Sequence, residues 1–439
     1  MRIAAMGPQA ADVAAVRDRT THSLTYRRAN VAATSRDPYM VVSVSTMADA
    51  RTLASRTTLR AYARRVDWSV FRSAVSLHAH TNNSREVLSD LPSYIVRIPL
   101  LGRRFNRELD RRRLGNEPVD FTKGWWHPPV TAREVFDSEA DQIDRRFGID
   151  SIVSITDHDD VAAGLEAQRL YAVRRAPVSV EWTVPYENGF FHLGVHNLPE
   201  SGAAAWLARL TAFTRRHPTD CLRDILDDLH ASHTLIVLNH PLWDLAGVGE
   251  RMHTVRLRAF LDAYHTRLHA LEVNGYRSRH ENGGVRRASA ERGVPLISGG
   301  DRHALAPNAV LNLTRAGTFA EFAAEIRDGV SHIVVMPEYR HHLAGRILGS
   351  AADVLGSYRV RPDGWQRWFD RVSCEWNGQV RPLSYHWPDG GPLWVRSAIC
   401  MFRVFASPLV RPTWSAALRC LDGPAPVSPI PAGSWRGSS

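Results

Sequence analysis

Ile149-Asp-Ser-Ile-Val-Ser-Ile155, running out into Thr156-Asp-His-Asp159, is an apolar strand that ends in acid and imidazole groups. Ahead of it, Thr131 can cap a helix reaching about Phe147, with Gly148 as its C-terminal stop. The same order recurs on both sides. Thr234-Leu-Ile-Val-Leu-Asn239 ends at His240-Pro241, Ala270-Leu-Glu-Val-Asn274 carries Glu272, and Pro295-Leu-Ile-Ser-Gly-Gly300 ends at Asp301-Arg-His303. Pro177 to Thr183 carries Glu181, Phe190 to Val195 carries His192, and His332 to Met336 is one more strand. Helices are expected near 202–214, 220–231, 251–267, 283–292 and 319–328. Upstream, Ala74 to His80 reads as a strand whose i and i+2 positions put His78 and His80 on one face. Strands alternating with helices indicate an α/β fold, with a parallel sheet closed as a barrel or doubly wound. Either arrangement collects active groups at the carboxyl ends of strands, where His78, His80, Asp157, His158, Glu181, His240, Asp301 and His303 fall.

Composition narrows the class. The chain has 439 residues, 44% hydrophobic and 23% charged, with a net charge of +10. That charge comes from arginine, Lys123 being the only lysine, and the basic residues are dispersed, which argues against a nucleic-acid partner. Cys221, Cys374, Cys400 and Cys420 form no C-x-x-C and no disulfide framework. The start lacks a secretory h-region and no run of 18 uncharged apolar residues occurs, so a cytoplasmic protein without a transmembrane segment is expected.

Residues 1–46 have no sustained period and are expected to be disordered or loosely attached, with Met47 an alternative start. A basic helix is predicted from Ala48 to Val66. Residues 47–338 are expected to form this α/β domain, interrupted by an insertion at 85–123 that joins an apolar run (Leu91 to Leu101) to a basic one (Arg103 to Arg113). Leaving the catalytic end of a barrel, such a segment is expected to act as a lid. Residues 339–423 read as an extension packed on the barrel, with a helix near Leu393 to Val410, and 424–439 as a disordered tail.

His78-Ala-His80, Thr156-Asp-His158, Glu181, His192 in Phe191-His-Leu-Gly194, His240-Pro241 and Gly300-Asp-Arg-His303 together resemble the ordered motifs of the PHP (polymerase and histidinol phosphatase) superfamily over about 73–335. The resemblance implies a distorted (β/α)7 barrel holding two or three divalent ions and hydrolysing phosphate esters. It implies that His78, His80, Glu181 and Asp301 hold one ion, that Glu181 bridges to a second held by His192 and His240, and that His158 and His303 belong to a third. Imidazoles with few carboxylates suit Zn, Mn or Fe better than Mg. Two cations on one carboxylate let a shared water ionise near neutral pH and attack phosphorus in line.

The chain departs from that pattern where the family's third-site ligand follows the first motif. The insertion replaces the short link, leaving Glu86, Asp90 or His127 as substitutes. Lys123, Arg277 and Arg302, with Arg279, are expected at the substrate phosphate. Glu272 is expected to orient a ligand histidine from behind, Asp157 to orient His158 or close the strand end, and His196 is the runner-up to His192. The expected function is hydrolysis of a small phosphorylated metabolite or nucleotide, with Glu181, Asp301 and His303 catalytic. The rivals are a nuclease, a hydrolase of a non-phosphate bond, and a non-catalytic binding module of the same fold.

Overall fold

The computed structural model describes residues 56–88, 113–114, 117–118, 123–171, 175–216, 219–358, 364, 366–376, 378–391, 393–407 and 409–410. The expectations for 1–46, for Asp90, for the apolar run and most of the basic run of the insertion, and for the tail lie outside the described residues, as does the body of the lid.

The strands are β1 (Arg56–Ala61), β2 (Ser73–Ser76), β3 (Glu86–Val87), β4 (Arg113–Leu114), β5 (Glu117–Pro118), β6 (Gly124–Trp126), β7 (Asp150–Val153), β8 (Val178–Tyr186), β9 (Gly189–Leu198), β10 (Leu235–Leu238), β11 (Ala270–Asn274), β12 (Leu296–Gly299), β13 (Val310–Thr314), β14 (Val330–Val335), β15 (Val372–Trp376) and β16 (Gln379–Pro382). Two five-stranded sheets carry the site, in the orders β1-β14-β13-β2-β7 and β12-β11-β10-β9-β8. Isolated parallel bridges join them, between the β7 and β8 margins and between the chain beyond β2, an inner strand of the first sheet, and that beyond β12. Ile155 pairs with Val178 and His158 with Glu181 on one side, Ala79 with Arg302 on the other. The result is a distorted barrel-type arrangement with mixed sheets, since β9 runs antiparallel to β8 and β10, and β13 antiparallel to β2 and β14.

Local signals explain most elements. Helix Ala132–Phe147 starts at a capping box of Thr131 and Glu134 and stops at Gly148, whose φ of 64° suits glycine. Helix Arg279–Arg292 starts earlier than the apolar pattern suggests, because Ser278 and Glu281 form a second capping box. Apolar side chains of β8, β9, β10 and the helices outside them make the main core, with Trp182 fully buried and its indole N–H donating to Leu210 O and Thr214 Oγ1.

Two strands of the main sheets, β1 and β13, stand where no strand is expected. Residues 56–61 form β1 in place of part of the predicted helix, because they pair in parallel with β14 along their whole length, and sheet pairing overrides local propensity. β13 has no counterpart among the expected strands, because Asn312 interrupts its apolar pattern. That side chain is buried and joins the sheets, accepting from Ser298 N at 2.8 Å and donating to Ser298 O at 3.0 Å.

Beyond β14, helix Leu343–Val354 packs against helix Leu393–Ala406, on which Arg396 and Arg403 are exposed. The hairpin β15–β16 extends a four-stranded sheet in the order β16-β15-β6-β3. No helix among the described residues is long and apolar enough to cross a membrane.

Candidate metal centre

His78 and His80 converge, with ring centroids 5.2 Å apart, but not through strand alternation. β2 ends at Ser76, and His78 takes the left-handed conformation with φ 63°. His240 (φ 27°) and Asp301 (φ 53°) are left-handed too, each two residues beyond a strand. Such backbone is costly for residues other than glycine, and it concentrates here where three strand ends turn their side chains to one place.

Glu181 occupies that place. Buried in the middle of β8, it splits its two carboxylate oxygens between two sets of imidazoles. Oε2 lies 3.1 Å from His78 Nε2, 3.2 Å from His80 Nε2 and 3.4 Å from His158 Nδ1. Oε1 lies 3.3 Å from His192 Nδ1 and 3.1 Å from His240 Nε2, and accepts from Asn239 Nδ2 at 2.9 Å. Asn239 is a functional neighbour absent from the expected set; its place directly before His240 is the signal that marks it. Burial opposes ionisation of Glu181, yet His78, His192 and His158 hold its carboxyl well below the usual range.

A further group forms around Glu86. Its Oε2 lies 3.1 Å from His303 Nε2 and 3.3 Å from His158 Nε2, and its Oε1 3.5 Å from His80 Nδ1. Of the three substitutes, Glu86 is the one brought to the cluster. His127 instead braces the approach, its ring hydrogen-bonded to the backbone of Ser84 and Asn82, while the Ser84 hydroxyl donates to Glu86 Oε1 at 2.6 Å. Burial lowers the affinity of His158 for a proton, but Glu86 and Glu181 outweigh it and raise its pKa to about 10. Burial and the neighbouring His303 instead push His80 down to about 4, so its ring is neutral and able to bind a cation.

Behind His78, Glu272 Oε1 lies 2.6 Å from Nδ1. A carboxylate only accepts, so Nδ1 carries the proton and Nε2 is turned toward Glu181. This approach depends on Gly299, where a Cβ would lie 1.7 Å from Glu272 Oε1. Asp301 Oδ1 lies 3.7 Å from His78 Nε2 and 3.6 Å from His303 Nδ1. Burial opposes its ionisation, but His78, His303 and Arg277 keep it an anion.

Other expected residues lie elsewhere. Arg302 is buried, donating to Glu139 Oε1 at 2.8 Å, Ala304 O at 2.8 Å and Leu305 O at 2.9 Å, so it is spent on holding its loop. Arg277 reaches the cluster through Asp301 Oδ2 at 2.9 Å and stacks 3.4 Å above the Trp243 ring. Lys123 and Arg279 are exposed, Lys123 just ahead of β6. Asp157 closes the turn after His80, accepting from Thr81 N at 2.5 Å and Thr81 Oγ1 at 2.6 Å. His196 is buried away from Glu181 against Ser154 Oγ, 2.8 Å from its Nδ1, and burial lowers it to about 3.

These residues form three overlapping groups able to hold divalent ions: His78, His80 and Glu181; His158, Glu181 and His192; and His80, Glu86, His158 and His303. A metal also fits an otherwise unexplained feature. His80 Nε2 and His192 Nδ1 are buried without a hydrogen-bond partner among the described residues, a state buried polar atoms rarely adopt. Each lies just over 3 Å from a different Glu181 oxygen, where a cation held with that oxygen would satisfy it.

No family model and no curated protein matches the chain. Among solved structures, it is similar to an amidohydrolase from Chromobacterium violaceum with bound sulfate and no metal, at 16% identity and TM-score 0.32, covering 52% of this chain and 87% of that one. It is also similar to a protein from Bifidobacterium adolescentis described as a candidate metal-dependent phosphoesterase, at 14% identity and TM-score 0.31, covering 46% and 92%. A third is a two-domain protein from Bacteroides vulgatus containing a predicted PHP-like metal-dependent phosphoesterase, at 14% identity and TM-score 0.32, covering 46% of this chain and 60% of that one. At these TM-scores the likeness decides nothing about chemistry, which rests on the chain's own residues.

Proposed function

We propose that the chain is a metal-dependent phosphoesterase of the PHP type, on a distorted (β/α)7 barrel, hydrolysing a small phosphorylated metabolite or nucleotide. The observation that carries this reading is the division of Glu181: one oxygen faces His78, His80 and His158, the other His192 and His240. A carboxylate so placed is suited to bridging two cations. Bound there, divalent ions would polarise a phosphoryl oxygen and lower the pKa of water.

The chain's own groups do the rest. Glu272 holds the proton of His78 on Nδ1. Asp301, kept ionised by its cationic neighbours, serves as a ligand and not as a proton acceptor. His158 and His303, with side chains 17% and 15% exposed against 0–9% for the other histidines of the cluster, mark the open side by which substrate enters. Trp126, its ring 5.8 Å from that of His303, flanks this mouth.

A second reading, hydrolysis of a non-phosphate bond, gains from the arginines. Arg302 is committed to Glu139 and Arg277 to Asp301, so neither is presented to a phosphate. Metal analysis of purified protein, followed by a hydrolase screen over sugar phosphates, amino-alcohol phosphates, nucleotides, single-stranded DNA and amides, separates these readings. Turnover of small phosphate esters alone supports the proposal; turnover of amides alone replaces it with the second reading.

A further inference from the structure

Glu86 stands on a strand too short to hold itself. β3 has two residues, and a strand of that length owes its place to its neighbours. In the adjoining β6, Trp126 lies opposite Glu86 on one side and opposite Val372 of β15 on the other. Directly opposed residues share a face of a sheet, so Glu86, Trp126 and Val372 form one row. That face is turned to the metal centre, since Glu86 and Trp126 both meet His303.

The fit is close. A Cβ on Gly124 would lie 2.7 Å from Leu88 Cδ1 and 3.5 Å from Ser373 O, so β6 is pressed between the end of β3 and β15. A second path runs through His127. Its backbone N–H donates to Arg371 O at 2.9 Å, and its ring holds the backbone of Ser84, the residue whose hydroxyl donates to Glu86. Arg371 is itself buried, donating to the carbonyls of Val354 and Gly356 at the end of helix Leu343–Val354. The hairpin is therefore anchored to the rest of the C-terminal extension.

We propose that the C-terminal extension is a working part of the third metal subsite, β15 holding Glu86 in ligand position through β6 and His127. This rests on the metal reading above. Ser373 and His127 are positioning residues: neither is among the groups that could hold an ion.

The test uses the full chain loaded with Mn²⁺, with bound ions counted after gel filtration and folding followed by circular dichroism. Ser373→Pro removes a backbone donor from β15 opposite Trp125, and His127→Leu cuts the second path. Both variants are expected to match Glu86→Gln: one ion fewer than wild type, or that ion held at least about tenfold more weakly, with the ions at Glu181 retained. A merely structural role would not single out one ion. Without any variant, filling the last subsite should slow amide hydrogen exchange across Val372–Trp376, because coupling is reciprocal, and in Glu86→Gln it should not. A folded Ser373→Pro or His127→Leu chain holding wild-type ions at wild-type affinity, or unchanged exchange in β15, overturns the inference and leaves the proposed function standing. A wild-type chain that binds no ion overturns both.

Discussion

Glu86 and His303 meet at 3.1 Å, carboxylate oxygen to Nε2, although they lie far apart in sequence, one at β3 and the other beyond β12. Burial works against the Glu86 charge, but His303, His158 and His80 outweigh it and hold the carboxyl well below its usual range. A carboxylate kept ionised among three imidazoles is a ligand set for a divalent cation. Glu86→Gln keeps the shape and removes the charge. Its expected effect is loss of one bound ion while two remain, measured by metal analysis; unchanged stoichiometry would remove Glu86 from the set.

Gly299 tests how His78 is oriented. An added methyl group has no room beside Glu272, so Gly299→Ala must push that carboxylate off His78 Nδ1. Metal affinity or activity should fall about 10- to 100-fold, as losses of groups behind a ligand do, with the fold retained. Isothermal titration with Mn²⁺ reads this directly, and wild-type affinity would show that Glu272 does not set the ring.

Metal binding should release protons. In the ion-free chain Glu86 and Glu181 raise His158 to about 10, and Glu181 and Glu272 hold His78 well above its ordinary value, so at pH 7 these two rings carry protons that a cation must displace. The sign follows: affinity rises with pH from 6 to 8, by about tenfold per unit for each proton released. Titrations in buffers of different ionisation enthalpy count the protons. Affinity independent of pH would contradict the assignment.

Arg302 is expected to matter for stability. It and Glu139 are both buried and paired at 2.8 Å, so Arg302→Met leaves a buried carboxylate without its cation, at a cost of about 3–5 kcal/mol. Denaturant unfolding should show that loss. A variant of normal stability and raised KM would instead return Arg302 to the substrate.

Much of this site is legible in the amino-acid sequence. The order of His78, His80, His158, Glu181, His192, His240, Asp301 and His303 names the residues that meet here, five imidazoles around Glu181, Asp301 beside His78, and His303 beside Asp301 and Glu86. Glu181 and His192 nevertheless lie within β8 and β9, and not at the strand ends expected of Glu181. What the sequence hides depends on contacts across long separations. Glu86 reads like any acid at the mouth of an insertion, and only pairing of β3 with β6 sets it against His303. Arg302, lodged between two ligand positions, reads as a phosphate contact, yet its partner Glu139 lies on a helix far ahead of it in sequence. Strand alternation predicts the convergence of His78 and His80 for the wrong reason, since the left-handed turn at His78 leaves no trace in a period-two pattern. β1 is hidden likewise, as its partner β14 lies at the other end of the barrel.

Glu181→Gln bears most directly on the whole reading. The substitution preserves shape and removes the one charge that faces both sets of imidazoles. With the chain loaded with Mn²⁺, kcat for whichever phosphate ester the screen identifies should fall at least about 10³-fold, with ion content reduced and the fold intact. Near-wild-type turnover with unchanged ion content would contradict it.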